Sequence, residues 1–401
     1  MAVIWILREQ LSVWLLGEAQ RAVEIGLVGV SILLFLLAAS QRTLLQGMRR
    51  ISDLGRVMVL GTLTGAVAGV LAVWLLGQDG LVWFLLAEPL GALLVGLIYV
   101  RRLPSASKQW PTVLAIWRRW RPMVRLGIAF MLGGLVTTAT LLIVRTLITR
   151  ELGLDAAGQF AAAVAITITY VGFLMQAMGA DFLPRLSEVI SNRNVATKLM
   201  NDQMQLALAF GGPILLLMIG LAPWVIELLY SAEFDSAATL VQWQMVGNVL
   251  KLAAWPLTFA FIAASRSGVF FYLQLQFNVL FLGAIWLGLP VLQIEVAGAS
   301  FLFGNVMHIV VTAVLARSLH SFRWRPYNSR LFALHVVLSV ALLVLARTAP
   351  LAGAGVATLM AVTTALIGLH GIISMIRPHG KLASRIIYLY ERIGFPIMEQ
   401  K

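Results

Sequence analysis

The chain has no cysteine among its 401 residues. That removes disulfides, thiolate nucleophiles and iron–sulfur ligation from consideration. Charge is scarce as well, at 12% of the chain against 60% hydrophobic residues, about half the charged share of a soluble domain. Two enzyme signatures are also missing: there is no phosphate-cradling GxxxxGK loop followed by Ser or Thr, and no HExxH. Nor is there the alternating pattern of about ten residues that an outer-membrane barrel needs. What remains is an all-α polytopic membrane protein.

Long apolar runs are what the chain has in abundance. Together with their breakers they place about eleven transmembrane helices, near residues 22–41, 57–77, 81–100, 126–148, 158–180, 206–229, 238–264, 269–290, 296–316, 331–347 and 353–376. The connections sort by charge. One alternate set holds Arg42, Arg49, Arg50 and Arg56, the basic cluster from Arg101 to Arg125, then Arg185, Arg193, Lys198, Arg266, Arg317, Arg323, Arg325 and Arg330. The opposite set holds only Arg8, Arg21, Arg150 and Arg347, with Glu18, Asp79, Glu151, Asp155, Glu233, Asp235 and Glu295. By the positive-inside bias the first set is cytoplasmic, and so is the C-terminal tail. The net charge of +13 therefore reflects orientation in a membrane, and no nucleic-acid partner is expected.

The outward connections are short, leaving little room for a catalytic domain outside the membrane. Their carboxylate pairs, Glu151 with Asp155 and Glu233 with Asp235, have no histidine nearby. No catalytic residue, metal or cofactor is expected. Residues 105–124, where Trp110, Trp117 and Trp120 alternate with Arg118, Arg119 and Arg121, have the composition of an interfacial helix or linker on an anionic leaflet. The tail is similar. At the other end, Met1 to Ile6 is too short to cross, so either the protein is longer or this stretch lies along the outer surface.

Lys251 sits near the middle of its span, and Gln244, Asn248 and Trp255 share its side of the helix, within a stripe roughly 60° wide. An ammonium near the bilayer centre costs at least about 2.5 kcal/mol, which points this stripe at a polar cavity or a partner charge. Glu88 lies at comparable depth, before Pro89 and Gly91. It is either an ion-coupling carboxylate or a protonated group packed between helices. Arg145 is about 12 Å from its span's centre, within snorkelling range of the outer surface, yet its planar guanidinium would also suit a phosphate or acidic sugar. Gln274 with Asn278, and Asn305 with His308, put polar groups on single helix faces, where they serve as interhelical glue or line a lumen. Spans starting near 22, 57 and 81 recur at 238, 269 and 296, an offset of about 215 residues that suggests a duplicated bundle.

The segment from Leu229 to Trp255, LYSAEFDSAATLVQWQMVGNVLKLAAW, resembles the corresponding stretch of the O-antigen and enterobacterial common antigen translocases. These belong to the multidrug/oligosaccharidyl-lipid/polysaccharide exporter superfamily. LLQGMRRISD from Leu44 to Asp53, Arg145, and DFLPRLS from Asp181 to Ser187 extend the likeness over most of residues 10–318. The resemblance implies two pseudo-symmetric lobes that flip an undecaprenyl-diphosphate-linked oligosaccharide from the cytoplasmic to the periplasmic leaflet of the bacterial inner membrane, for O-antigen-type surface polysaccharide. Set against that family, the first lobe is incomplete, and residues 331–376 add two spans like those of the branch that includes lipid II flippases.

The expected division is an incomplete N-terminal lobe at 1–104, the linker at 105–124, a C-terminal lobe at 125–318, two additional spans at 319–376 and an amphipathic tail at 377–401. Lys251, Arg145, Gln244, Asn248, Trp255, Gln274 and Asn278 are the expected substrate-binding set, with Glu88 for ion coupling. Partners would be the lipid-linked oligosaccharide, membrane lipids and the polysaccharide polymerase machinery. Two alternatives stand beside this reading: a cation or drug antiporter of the same superfamily, and a membrane-embedded polymerase or glycosyltransferase.

Overall fold

The computed structural model describes residues 2–16, 20–77, 80–103 and 112–373, and the described chain is helical with no strand. Ten helical runs are long and apolar enough to cross a membrane. One of them, Leu114–Val189, has 76 residues. At 1.5 Å per residue that is about 114 Å, nearly four times a hydrocarbon core. Gly153 breaks it, with φ 92° and ψ 175°, a backbone conformation open to glycine and strained for other residues. The spans expected at 126–148 and 158–180 thus share this run, which brings the crossings to the expected eleven. The protein is a multi-pass membrane protein. Its tail, expected to be cytoplasmic, lies outside the described residues, as do 105–111 of the linker.

The chain divides into two compact units, Met1–Pro111 and Thr112–Lys401. In the first, short helices α1 (Ala2–Ile6) and α2 (Arg8–Leu16) lie against α3 (Ala22–Gly47), followed by α4 (Ile51–Leu76) and α5 (Gly80–Val100). Gly61, Gly65 and Gly69 recur every four residues on α4 and make a groove for α5. A Cβ on them would come within 2.9 Å of Ala92 Cα, 2.5 Å of Glu88 Cα and 2.7 Å of Phe84 Cδ2 respectively. Such backbone-on-backbone packing is how helices associate where lipid offers no hydrophobic drive between them. It also fixes the rotation of α5, and so the direction of Glu88.

The second unit runs through α6 (Val113–Ile166), a π-helical turn (Thr167–Val171), α7 (Gly172–Val189), α8 (Arg193–Leu229), α9 (Asp235–Ala263), α10 (Ser267–Leu292), α11 (Glu295–His320), α12 (Pro326–Thr348) and α13 (Pro350–Ile373). Residues 113–124 continue into the span as the first turns of α6, capped by the Thr112 hydroxyl, which accepts from the Ala115 N–H at 3.4 Å. Helix α9 is buried almost all round, packed against α8 and α11 and touching α6, α7, α10 and α12, and its amides Gln242, Gln244 and Asn248 are buried with it. The two C-terminal helices lie along α8. Gly220 receives Ala357, Gly368 receives Ala209, and the His335 ring sits over Gly212.

Prolines inside the spans leave carbonyls without their helical donors, and side chains replace them. Pro89 frees the Leu85 carbonyl, which accepts from the Ser31 hydroxyl at 2.9 Å. Pro223 frees that of Ile219, which accepts from the Gln242 amide at 3.2 Å. Arg347, expected on the outer side from the charge bias, is neutralised by an ion pair with Glu295.

The internal repeat is written in the backbone. Met48 and Ala264 have φ/ψ of −83°/5° and −80°/5°, Arg50 and Arg266 have −81°/59° and −83°/64°, and Gly77 and Gln293 have 60°/−130° and 49°/−132°. Between the first two pairs, Arg49 and Ser265 are both left-handed, at φ 57° and 53°. One sequence offset relates all four pairs, so Arg50 is the structural counterpart of Arg266.

Candidate functional site

Lys251 is exposed, while the residues around it on α9 are not: Leu250, Leu252, Asn248 and Trp255 are 7%, 0%, 0% and 7% accessible. Protein nevertheless crowds the ammonium. Its side chain is thus both flanked by protein and exposed. Lys251 is about 3 Å along the axis from the middle of α9, at the depth where insertion costs most. Within its own unit no described carboxylate forms an ion pair with it. Its electrostatic neighbour is His308 on α11.

The residues at the foot of this ammonium differ in how they are used. Both polar atoms of the Asn248 amide are buried without a partner among the described residues, as are His308 Nδ1 and Thr312 Oγ1. These orphan groups sit on the facing helices α9 and α11, and buried polar groups ordinarily find partners. Gln244 is 1% accessible, and its Oε1 accepts from the hydroxyl of Thr167 at the start of the π-helical turn. Such turns occur disproportionately at functional sites. Trp255 is buried, its ring 4.7 Å from Phe259 and 5.7 Å from Phe182, and the absent side chain of Gly179 makes room for it.

On α10, Gln274 is half-buried and Asn278 is buried. The Asn278 amide donates to the Thr137 hydroxyl of α6 at 3.2 Å and to the Gln274 carbonyl at 2.8 Å. The Gln274 side chain packs over Gly133. Arg145 is exposed on α6, one position beyond the buried Val144. It shares its helix face with Met131, Leu135, Thr138 and Leu142.

In the first unit Glu88 is exposed about 3 Å along the axis from the middle of α5. It lines a cleft of about 420 Å³ with Ser31, Ile32 and Phe35 of α3 and Phe84, Leu85 and Pro89 of its own helix. The cleft exists because Pro89 and the α4 glycines set the position of α5, while Ser31 covers the freed carbonyl.

Thr167, Thr137 and Ser31 were not singled out from the sequence. Pro89 was the available signal for Ser31, since a proline in a span requires a donor for the carbonyl four residues back. The two threonines gave none, because their partners lie more than seventy residues away.

Residues 1–239 match the polysaccharide biosynthesis protein family. The lipid III flippases of Escherichia coli (strain K12) and Shigella flexneri are each 25% identical over 256 residues, covering 61% of this chain and 59% of theirs. The chain thus spans under two thirds of the length of these relatives. Among solved structures, a MATE in complex with MaL6 superposes with a TM-score of 0.68 at 17% identity, covering 80% of this chain and 75% of its own. The lipid II flippase MurJ in an inward closed conformation gives 0.54 at 12% identity, over 86% and 73%. The fold is therefore that of the MATE and MurJ transporters, and by the match over its first 239 residues the chain belongs to the polysaccharide biosynthesis protein family.

Proposed function

We propose that this protein is a flippase that moves an undecaprenyl-diphosphate-linked oligosaccharide from the cytoplasmic to the periplasmic leaflet of the bacterial inner membrane, for O-antigen-type polysaccharide. Lys251 carries the reading: it is an exposed ammonium near the middle of an otherwise buried helix of span length, with no ion pair among the described residues of its unit. The named relatives and the family support it. In this scheme Lys251 and Arg145 attract the diphosphate or acidic sugars, with Asn248, Gln274 and Asn278 lining the polar path and Gln244 and Trp255 holding its wall. The lipid tail stays in the bilayer. Access alternates between leaflets, with Glu88 as the coupling carboxylate. The polymerase machinery consumes the product on the outer face.

Lys251→Ala in a flipping assay tests this directly. Loss of a charged contact worth about 1.5–3 kcal/mol lowers transport roughly tenfold to a hundredfold at unchanged membrane levels. Unchanged transport removes Lys251 from the path.

A cation or drug antiporter is the second reading, favoured by the closer superposition on MATE structures and by the open cleft at Glu88. Cationic substrates call for an acidic cavity, whereas Lys251 makes this one basic. Export of a cationic dye, abolished by Glu88→Gln and indifferent to Lys251→Ala, would establish the antiporter instead.

A further inference from the structure

At the basic end of the second unit, away from the mid-membrane residues, a cavity of about 650 Å³ is lined by Arg317, Ser321, Phe322, Arg323, Trp324 and Ser329. Among the described residues no carboxylate lines it. The cavity is formed by the connection between α11 and α12, which is held in a fixed shape. The Asn201 side chain of α8 accepts from the Arg325 N–H at 2.9 Å and donates to the Arg323 carbonyl at 3.0 Å. Asn328 donates to the Asn201 carbonyl at 2.7 Å, and Arg325 is paired with Asp202.

This fastening separates the arginines of the connection by role. Arg325 is used internally, while Arg317 and Arg323 are exposed and, among the described residues, form no ion pair. Ser321, left-handed at φ 55°, turns the chain so that both arginines line one cavity. Its N–H and that of Phe322 cap the Arg317 and Ala316 carbonyls at 3.0 and 3.2 Å, so these two acceptors at the helix end are already satisfied and do not compete for the guanidiniums. The Ser321 hydroxyl accepts from Arg193 at 3.3 Å, which adds a third guanidinium at the rim and leaves the hydroxyl proton free to donate. Trp324, packed between Phe322 and Phe332 at 6.3 and 5.4 Å, supplies an amphipathic ring of the kind that sits at headgroup level.

We propose that this cavity binds the phosphodiester headgroup of an anionic phospholipid in the cytoplasmic leaflet. Guanidiniums recognise phosphate oxygens with two parallel donors, and basic pockets between spans on the cytoplasmic side have this chemistry. The position at the mouth of two spans, beside an interfacial tryptophan, favours a lipid over a soluble anion. The proposal stands apart from the transport reading, since neither Lys251 nor Glu88 takes part.

The test uses the full chain in nanodiscs, measuring lipid retention by native mass spectrometry as dioleoyl phosphatidylglycerol replaces dioleoyl phosphatidylcholine. The wild type retains phosphatidylglycerol selectively. Arg317→Gln and Arg323→Gln each cost about fivefold in that selectivity, the effect of losing a hydrogen bond to the phosphate, and Arg330→Gln, whose side chain is exposed but does not line the cavity, costs much less. Equal losses for Arg330→Gln and Arg323→Gln would reduce the effect to general surface charge and overturn the site, as would unchanged selectivity in the Arg317→Gln/Arg323→Gln double variant. Displacement of the lipid by millimolar inorganic phosphate would overturn the lipid assignment in favour of the free anion. Arg323→Lys, which keeps charge and loses the planar fork, retains part of the selectivity and guards against a folding defect in the double variant.

Discussion

Helices α3 and α9 are counterparts in a repeated bundle, and they do opposite things at the same place. The offset that pairs Arg49 with Ser265 and Gly77 with Gln293 pairs Lys251 with Phe35, an apolar residue of the Glu88 cleft. It also pairs Asn248 with Ile32 and Gly247 with Ser31, which line that cleft too. In the first unit this crevice carries a carboxylate on α5 and apolar side chains on α3. In the second it carries an ammonium on α9, with His308 and orphaned polar atoms on α11. Duplication kept the backbone, down to the dihedrals of the turns, and the embedded charge diverged in sign. In the proposed function the ammonium attracts the diphosphate and the carboxylate takes the coupling ion.

Reversing the sign in the second unit gives the largest expected effect. Lys251→Glu replaces attraction by repulsion at mid-bilayer depth, and transport falls about a hundredfold or more while Phe35→Tyr, at the matching position, has little effect. Equal sensitivity at the two positions would mean that the crevices are equivalent and the comparison empty. Glu88→Gln keeps the shape of the cleft and removes its charge. Transport falls about tenfold and loses its dependence on an imposed ion gradient, measured in proteoliposomes with and without that gradient.

The packing beneath each crevice can be probed next. Gly65→Val forces a side chain into the Glu88 backbone and costs about 1–3 kcal/mol or more. Gly283→Ala in α10 meets nothing within 4 Å and leaves stability unchanged or slightly raised. Thermal unfolding in detergent reads both. A smaller loss than that of Gly65→Val belongs to Thr167→Val, which strips Gln244 of its donor. It costs about 0.6–1 kcal/mol, the usual size of an interhelical hydrogen bond in a membrane.

The fold was legible because hydrocarbon dictates it. Apolar runs of span length and a recurring offset sufficed for the spans and the repeat, while the resemblance to the family rested on particular segments, Leu229 to Trp255 above all. The sequence also placed Lys251 and Glu88, because a charge within an apolar run stands out. What it did not settle is which way a polar residue turns. Gln244, Asn248 and Trp255 share the Lys251 stripe by periodicity, yet Gln244 is spent on Thr167, Trp255 is packed among phenylalanines and Asn248 has no partner among the described residues. A stripe on a central helix faces several neighbours at once, and only tertiary packing decides which side chain meets which. Asn278 illustrates the same limit, since its partner Thr137 is on a helix far away in sequence.

The natural absence of cysteine makes the decisive measurement direct. Lys251→Cys, Leu252→Cys and Leu287→Cys can each be probed with a hydrophilic, charged thiol reagent in membranes. Leu252 is sealed at 0% accessibility, and Leu287 is 71% accessible on the apolar outside of α10. Rapid labelling is expected at position 251 alone of the three, slowed by the lipid-linked substrate, because water reaches position 251 while 252 is sealed by packing and 287 lies on the apolar outside. Labelling at 251 as slow as at 252 in folded protein would contradict this expectation.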